Sequence, residues 1–170
     1  MDKVKRSFPP VVNGRTRVLV LGSLPGEESL ARAQYYAHPR NHFWRLIGAV
    51  IGAELEPLPY EARLERLLGA GIGLWDTIGA ATRRGSLDGN LRGIEANSLA
   101  GLVETLPGLR AIGFNGGRSA SLGHKALAGA APAGEAPLAL LPLPSSSPAY
   151  TLPFAAKLER WMALRPFLEG

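Results

Sequence analysis

"RVLVLGSLPG", Arg17 to Gly26, joins an unbroken apolar run to a turn made of Gly, Ser, Leu, Pro and Gly. The run is short and apolar on both alternating faces, which is the pattern of a strand covered on two sides, as in a parallel sheet packed between helices. Three more runs share that character: "GIGLWD" (71–76), "LRAIGFNG" (109–116) and "PLALLPLP" (137–144). Between and after them, 41–52, 60–69, 98–106, 117–129 and 153–168 place apolar residues at helical intervals. Strands alternating with helices imply a single α/β domain over 1–170, a three-layer α/β/α sandwich around a four-stranded parallel, doubly wound sheet. Ligands of such sheets bind beyond the carboxyl ends of the strands. The loops expected there are "GSLPGEES", "WDTIGAATRRGSLDGN", "FNGGRS" and "LPSSSPAY". The Ala/Gly/Pro-rich stretch 127–138 reads as a surface connection.

Composition narrows the chemistry. A chain of 170 residues, 46% hydrophobic, is long enough to bury a substantial core. It has no cysteine, which excludes disulfides, iron–sulfur clusters and cysteine zinc sites, and its three histidines offer little for a metal centre. No apolar run reaches the roughly 20 residues of a membrane helix, and "MDKVKRSFPP" lacks a secretory apolar segment, so a cytoplasmic protein is expected. A formal charge of +5 with a pI near 10.0 favours an anionic partner, nucleic acid above all.

The strand-exit loops each admit two readings. The turn Gly22-Ser23-Leu24-Pro25-Gly26 can bring backbone N–H groups to an anion or a base, or can simply lead a strand into a helix. It lacks the Gly-Lys-Ser/Thr ending of a phosphate-binding P-loop. In "FNGGRS", Asn115 can cap the following helix. The serines of "PSSSPAY" have no nucleophile elbow around them and no histidine after them, which argues against a serine hydrolase. Small hydroxyl residues between prolines suit close approach to a phosphodiester backbone.

Taken together, "GSLPG", "YYAHPRNHFW" (35–44), "LWDT…GSLD" and "LPSSSPAY", in this order and spacing, resemble the uracil-DNA glycosylase superfamily. Within it they resemble the hypoxanthine-DNA glycosylase (deoxyinosine glycosylase) branch, close to the mismatch-specific uracil-DNA glycosylases. The resemblance covers most of the chain and implies an α/β/α sandwich with a four-stranded parallel sheet. It also implies base excision: a deaminated base is extruded from DNA and its glycosidic bond hydrolysed, leaving an abasic site.

From the resemblance, Tyr36 is expected to stack on the extruded base, while Tyr35, Phe43 and Trp44 pack the core. Relatives that excise uracil carry an Asn or Asp two residues beyond the first glycine of the turn; this chain has Leu24 there. The Asn of the His-Pro-x-Asn motif, Asn41, becomes the expected catalytic residue, able to orient water and equally suited to start a helix. Asp76, at the end of the second strand, is expected to accept the ring N–H of hypoxanthine, uracil or xanthine, which adenine lacks, or else to be a capping aspartate. Gly22, Ser23, Leu24, Pro25 and His38 complete the expected base pocket. Arg40, Arg83, Arg84, Asn115, Arg118 and the loop Ser145, Ser146, Ser147, Pro148 are the expected DNA contacts. Lys125 and Lys157 fall in helical segments, so a lysine nucleophile and strand cleavage are not expected, nor is any metal or organic cofactor. A monomer is expected, on the nucleoid if the source is bacterial. Two other classes fit the residues: an inactive nucleic-acid or nucleotide-binding relative, and a small-molecule nucleosidase.

Overall fold

The computed structural model describes residues 3–128 and 137–169; residues 129–136 of the expected surface connection lie outside them. The four apolar runs form four parallel strands: β2 (Val18–Gly22), β3 (Ile72–Asp76), β6 (Ala111–Asn115) and β7 (Ala139–Leu143), in spatial order β3-β2-β6-β7. Their pairing is in the doubly wound sense, with Gly22 opposite Asp76 and Leu21 opposite Phe114. Alternation along β2 divides the core. Val18 and Val20 meet Phe43, Leu46, Ile47, Leu67, Trp161 and Leu164, while Leu19 and Leu21 meet Leu99, Val103, Phe114 and Leu127. Helices α2 (Phe43–Ile51), α3 (Tyr60–Ala70) and α6 (Phe154–Trp161) thus cover one face, and α4 (Leu99–Val103) and α5 (Gly117–Leu127) the other. This is the three-layer α/β/α sandwich expected from the sequence.

Helix α2 shows why these residues fold as they do. Phe43, Trp44, Leu46, Ile47 and Val50 recur at helical spacing and are all buried, each burial worth about 1.5–3 kcal/mol. The helix stops at Gly52, whose φ of 74° is the left-handed end conformation glycine adopts without strain. Tyr35 packs with this core and donates its hydroxyl to the Pro9 carbonyl at 3.1 Å.

A second sheet was not expected. Strands β1 (Val4–Arg6), β4 (Ile78–Arg83) and β5 (Leu91–Ala96) form an antiparallel sheet in the order β1-β4-β5. The segment read as one long loop therefore contains a hairpin, and "GEES" opens the short helix α1 (Glu27–Arg32). The hairpin carries a weak sequence signal because "IGAATR" is poor in strong strand formers, and its two register shifts against β5 break the two-residue period, leaving Ile78, Ala81 and Arg83 all buried. Ile78, Ala81 and Leu91 enclose Leu24 in a small cluster of their own.

Candidate active site

All four parallel strands point their carboxyl ends at one cleft of about 640 Å³. Gly22, Asp76 and Asn115 are the last residues of β2, β3 and β6, and Ser145–Ser147 follow β7; all line it. From the loops come Ser23, Leu24, Pro25, Tyr36, His38, Asn41 and Pro148. The structure thus brings together every expected base-pocket residue and the expected catalytic one.

Gly22 is required by close approach. A Cβ there would lie 2.7 Å from Asp76 Oδ1 and 3.1 Å from the Tyr36 hydroxyl. Asp76 is 3% exposed, and its Oδ2 has no hydrogen-bond partner among the described residues. Burial, reinforced by the negative charge of Asp88 and opposed by the cation of Arg83, pushes its carboxyl up to about 7. Near neutrality it is present both as carboxylate and as acid.

Tyr36 sits at φ 54°, a sparsely populated conformation for a bulky residue, with its carbonyl held by the Trp44 indole N–H at 3.1 Å. One face of its ring stacks on Phe43 at 3.9 Å and 17°. Its hydroxyl is buried without a hydrogen bond of ordinary geometry, and burial raises its ionisation well above the usual phenol range. Asn41 Oδ1 accepts the Phe43 N–H at 2.9 Å, one residue before the cap of α2. Its acceptor is therefore committed to the helix start, and its Nδ2 donates to no described residue at the wall of the cleft. His38 Nδ1 accepts the Arg40 N–H at 3.1 Å and shapes the turn.

The serine loop is braced from behind. Asn115 Nδ2 donates to Ser146 Oγ and the Ser146 N–H returns to Asn115 Oδ1, both at 2.8 Å. The His42 N–H donates to the Ser146 carbonyl at 2.9 Å, Trp161 Nε1 to that of Pro144 at 2.9 Å and Lys157 Nζ to that of Ser147 at 3.1 Å. Burial lowers the Lys157 ammonium below its usual range.

Several expected roles need correction. Arg83 was expected on phosphate, but it is 2% exposed and its guanidinium is spent on the carbonyls of Leu24, Pro25 and Gly85 and on Asp88. Asn115 does not cap α5, whose cap is Gly116 without a side-chain bond; its amide clasps Ser146 instead. Ser146 is 1% exposed, which leaves it no open face for a phosphate. Arg40, Arg84 and Arg118 are exposed outside the cleft lining. Leu24 lines the cleft and is 6% exposed, packed in its apolar cluster. The loop "WDTIGAATRRGSLDGN" was expected at the site, but three of its lining residues were not singled out: Ser86, Leu87 and Asp88 of the β4–β5 hairpin line the cleft, with the Ser23 hydroxyl donating to Asp88 Oδ2 at 2.7 Å. Tyr150, exposed at the end of the serine loop, lines it too. The one sequence signal was "GSLDGN", an apolar residue stranded among turn formers.

At the carboxyl edge of the sheet the cleft gathers an aromatic ring, a buried carboxyl without a partner among the described residues and an amide donor, groups that can hold a flat, polar-edged ring. The family model of the uracil DNA glycosylase superfamily matches residues 9–165, and the chain belongs to that superfamily. It is 47% identical over 113 residues to a hypoxanthine DNA glycosylase of Methanosarcina acetivorans, covering 66% of this chain and 72% of that one. A hypoxanthine DNA glycosylase of Methanosarcina barkeri is 44% identical over 115 residues, covering 68% and 73%. A solution NMR structure from Methanosarcina acetivorans, assigned provisionally as a uracil DNA glycosylase, superposes with a TM-score of 0.85 at 39% identity, covering 99% of this chain and 100% of that one.

Proposed function

We propose that the protein is a monofunctional DNA glycosylase that hydrolyses the N-glycosidic bond of a deaminated base extruded from DNA, with hypoxanthine preferred over uracil. The observation that carries this is the convergence of Tyr36, Asp76 and Asn41 on one cleft at the carboxyl edge of the sheet. The cleft-lining ring of Tyr36, backed by Phe43, receives the base; such stacking is worth roughly 1–3 kcal/mol. Asp76 meets the polar edge, accepting a ring N–H as carboxylate or donating to a carbonyl oxygen as acid. As the bond breaks, the sugar gains oxocarbenium character and the base gains negative charge. Asn41, with Oδ1 tied to α2, contributes through Nδ2, a donor that can hold the oxygen of an attacking water.

Leu24 supplies no amide to activate that water, so excision leans on the departing base. Hypoxanthine offers N7 as an extra site for protonation or hydrogen bonding, and uracil has no equivalent nitrogen. Among the described residues no lysine lines the cleft, and Lys157 lies behind the serine loop, so the product is an abasic site without strand cleavage. The protein acts as a cytoplasmic monomer without metal or organic cofactor, its exposed Arg40, Arg84 and Arg118 meeting phosphates.

The test is single-turnover excision from matched duplex oligonucleotides carrying hypoxanthine, uracil or xanthine, followed by alkali. Alkali-labile cleavage fastest at hypoxanthine is expected. Binding without cleavage, or activity on free nucleosides alone, overturns the reading, and uniformly faster uracil excision overturns the base preference. Tyr36→Phe should retain most excision and Tyr36→Ala lose it, since the ring supplies the platform; equal losses would transfer the role to the hydroxyl.

A further inference from the structure

We infer that Arg83 is a positioning residue for excision, a bracket that turns the backbone N–H groups of the Gly22–Gly26 turn toward the base; the inference rests on the glycosylase reading. Four successive carbonyls of this turn are drawn to the same side. Gly22 O accepts the Thr77 N–H at 2.8 Å, Ser23 O the Ile78 N–H at 3.0 Å, Leu24 O a proton of Arg83 Nη1 at 3.4 Å and Pro25 O one of Arg83 Nη2. Thr77, together with the first and last residues of β4, thus holds the whole row.

Peptide planarity converts that row into a second one. No peptide bond is cis, so in each unit the N–H points opposite to the C=O. Tying back the carbonyls of Gly22, Ser23 and Pro25 therefore aims the N–H groups of Ser23, Leu24 and Gly26 away from β4; Pro25 has none to aim. All three residues line the cleft, and none of the three N–H groups has an acceptor among the described residues. The turn lies beside the crevice between β2 and β6, where the winding of the sheet reverses and neighbouring loops part. Three unclaimed donors there suit a carbonyl oxygen or ring nitrogen that gains negative charge as the base departs.

Arg83 is the part of this arrangement that is not backbone. A buried guanidinium is costly unless its donors are used, and here they reach the turn at Leu24 and Pro25 and the hairpin at Gly85 and Asp88. Asp88 in turn accepts from Ser23, closing a loop of contacts between the two walls. Lysine keeps the charge but lacks the planar fork that holds two adjacent carbonyls together.

Arg83→Lys tests the inference by separating chemistry from binding. Expected is a fall of at least tenfold in single-turnover excision of hypoxanthine, with affinity for abasic-site duplex within about twofold and its salt dependence unchanged. Weaker binding with a shallower salt slope would make Arg83 a phosphate contact, and unchanged excision by folded variant would remove it from the mechanism. Absence of excision by the unaltered protein would sink the glycosylase reading instead. Independently of catalysis and of whether the variant folds, the amide resonances of Ser23, Leu24 and Gly26 in the unaltered protein should shift on titration with abasic-site duplex plus free hypoxanthine. Resonances that stay put under saturation overturn the inference.

Discussion

The cleft has two unlike walls. The carboxyl edge of the parallel sheet presents buried groups held by strands: Gly22 against Asp76, with Tyr36 beside them. The β4–β5 hairpin presents Ser86, Leu87 and Asp88 from a smaller sheet, and reaches the first wall through Ser23, Arg83 and the backbone of Glu27. On the proposed function, substitutions in the first wall alter chemistry directly, because its atoms line the space assigned to the base. Those in the second act through the placement of the turn between them.

The most damaging test of this contrast is Gly22→Ala. The added carbon would crowd Asp76 Oδ1 and the Tyr36 hydroxyl together, so excision should fall by more than about a thousandfold, whereas Gly14→Ala, with open space around it, should leave it unchanged. Retained excision in Gly22→Ala would show that the base does not use this corner.

Next is Asp76→Asn, read through stability against pH. Below about pH 4 the Asp76 carboxyl is protonated in folded and unfolded chains alike. As pH rises toward 7 the unfolded chain releases this proton first, so the group's contribution to stability declines by a few kcal/mol and levels off above the folded value of about 7. Denaturant titrations of both proteins from pH 4 to 8 isolate the effect: the substituted protein should gain relative to the original as pH rises. A constant difference would mean that Asp76 ionises normally.

A smaller effect separates the two jobs of Asn41. Asn41→Asp keeps an oxygen for the Phe43 N–H and loses the Nδ2 donor, so melting should be retained while excision drops about tenfold, or 1.4 kcal/mol. Equal activity in the two proteins would assign Asn41 to the helix alone. Smallest of all should be Ser86→Ala in the hairpin, which removes the acceptor of the Glu27 N–H at 2.9 Å. Stability should fall by about 1 kcal/mol or less, and excision stay within about twofold. A large kinetic loss without a stability change would give the hairpin a direct part in the chemistry.

The same two walls explain what could be read without a structure. Strands buried on both faces announce themselves by apolar content alone, so Val18–Leu21 and the runs like it were legible, and with them the loops that must cluster at their ends. Asp76, at the end of a strand, and Asn41, before a helix, both line the cleft and were legible through the family resemblance. The hairpin wall was not: β5 is exposed beyond Leu91, β4 is Gly/Ala-rich with a disrupted period, and nothing local marks Arg83 as buried, since arginine ordinarily lies in water. The difference between Asn115 as a helix cap and Asn115 as the clasp of Ser146 likewise depends on β7 lying beside β6, a contact made across the fold.

That clasp also bears on when the protein becomes active during its synthesis. Ser146 is gripped by Asn115 and His42, and its loop by Trp161 and Lys157, so the wall it forms needs chain segments far apart in the sequence, the later ones made well after the first. A nascent chain whose β2, β3 and β6 have already paired still lacks the partners that close this side of the cleft. Folding order therefore leaves this side of the cleft open until β7 and α6 have docked, and partly made chains carry Asn41 without the completed wall.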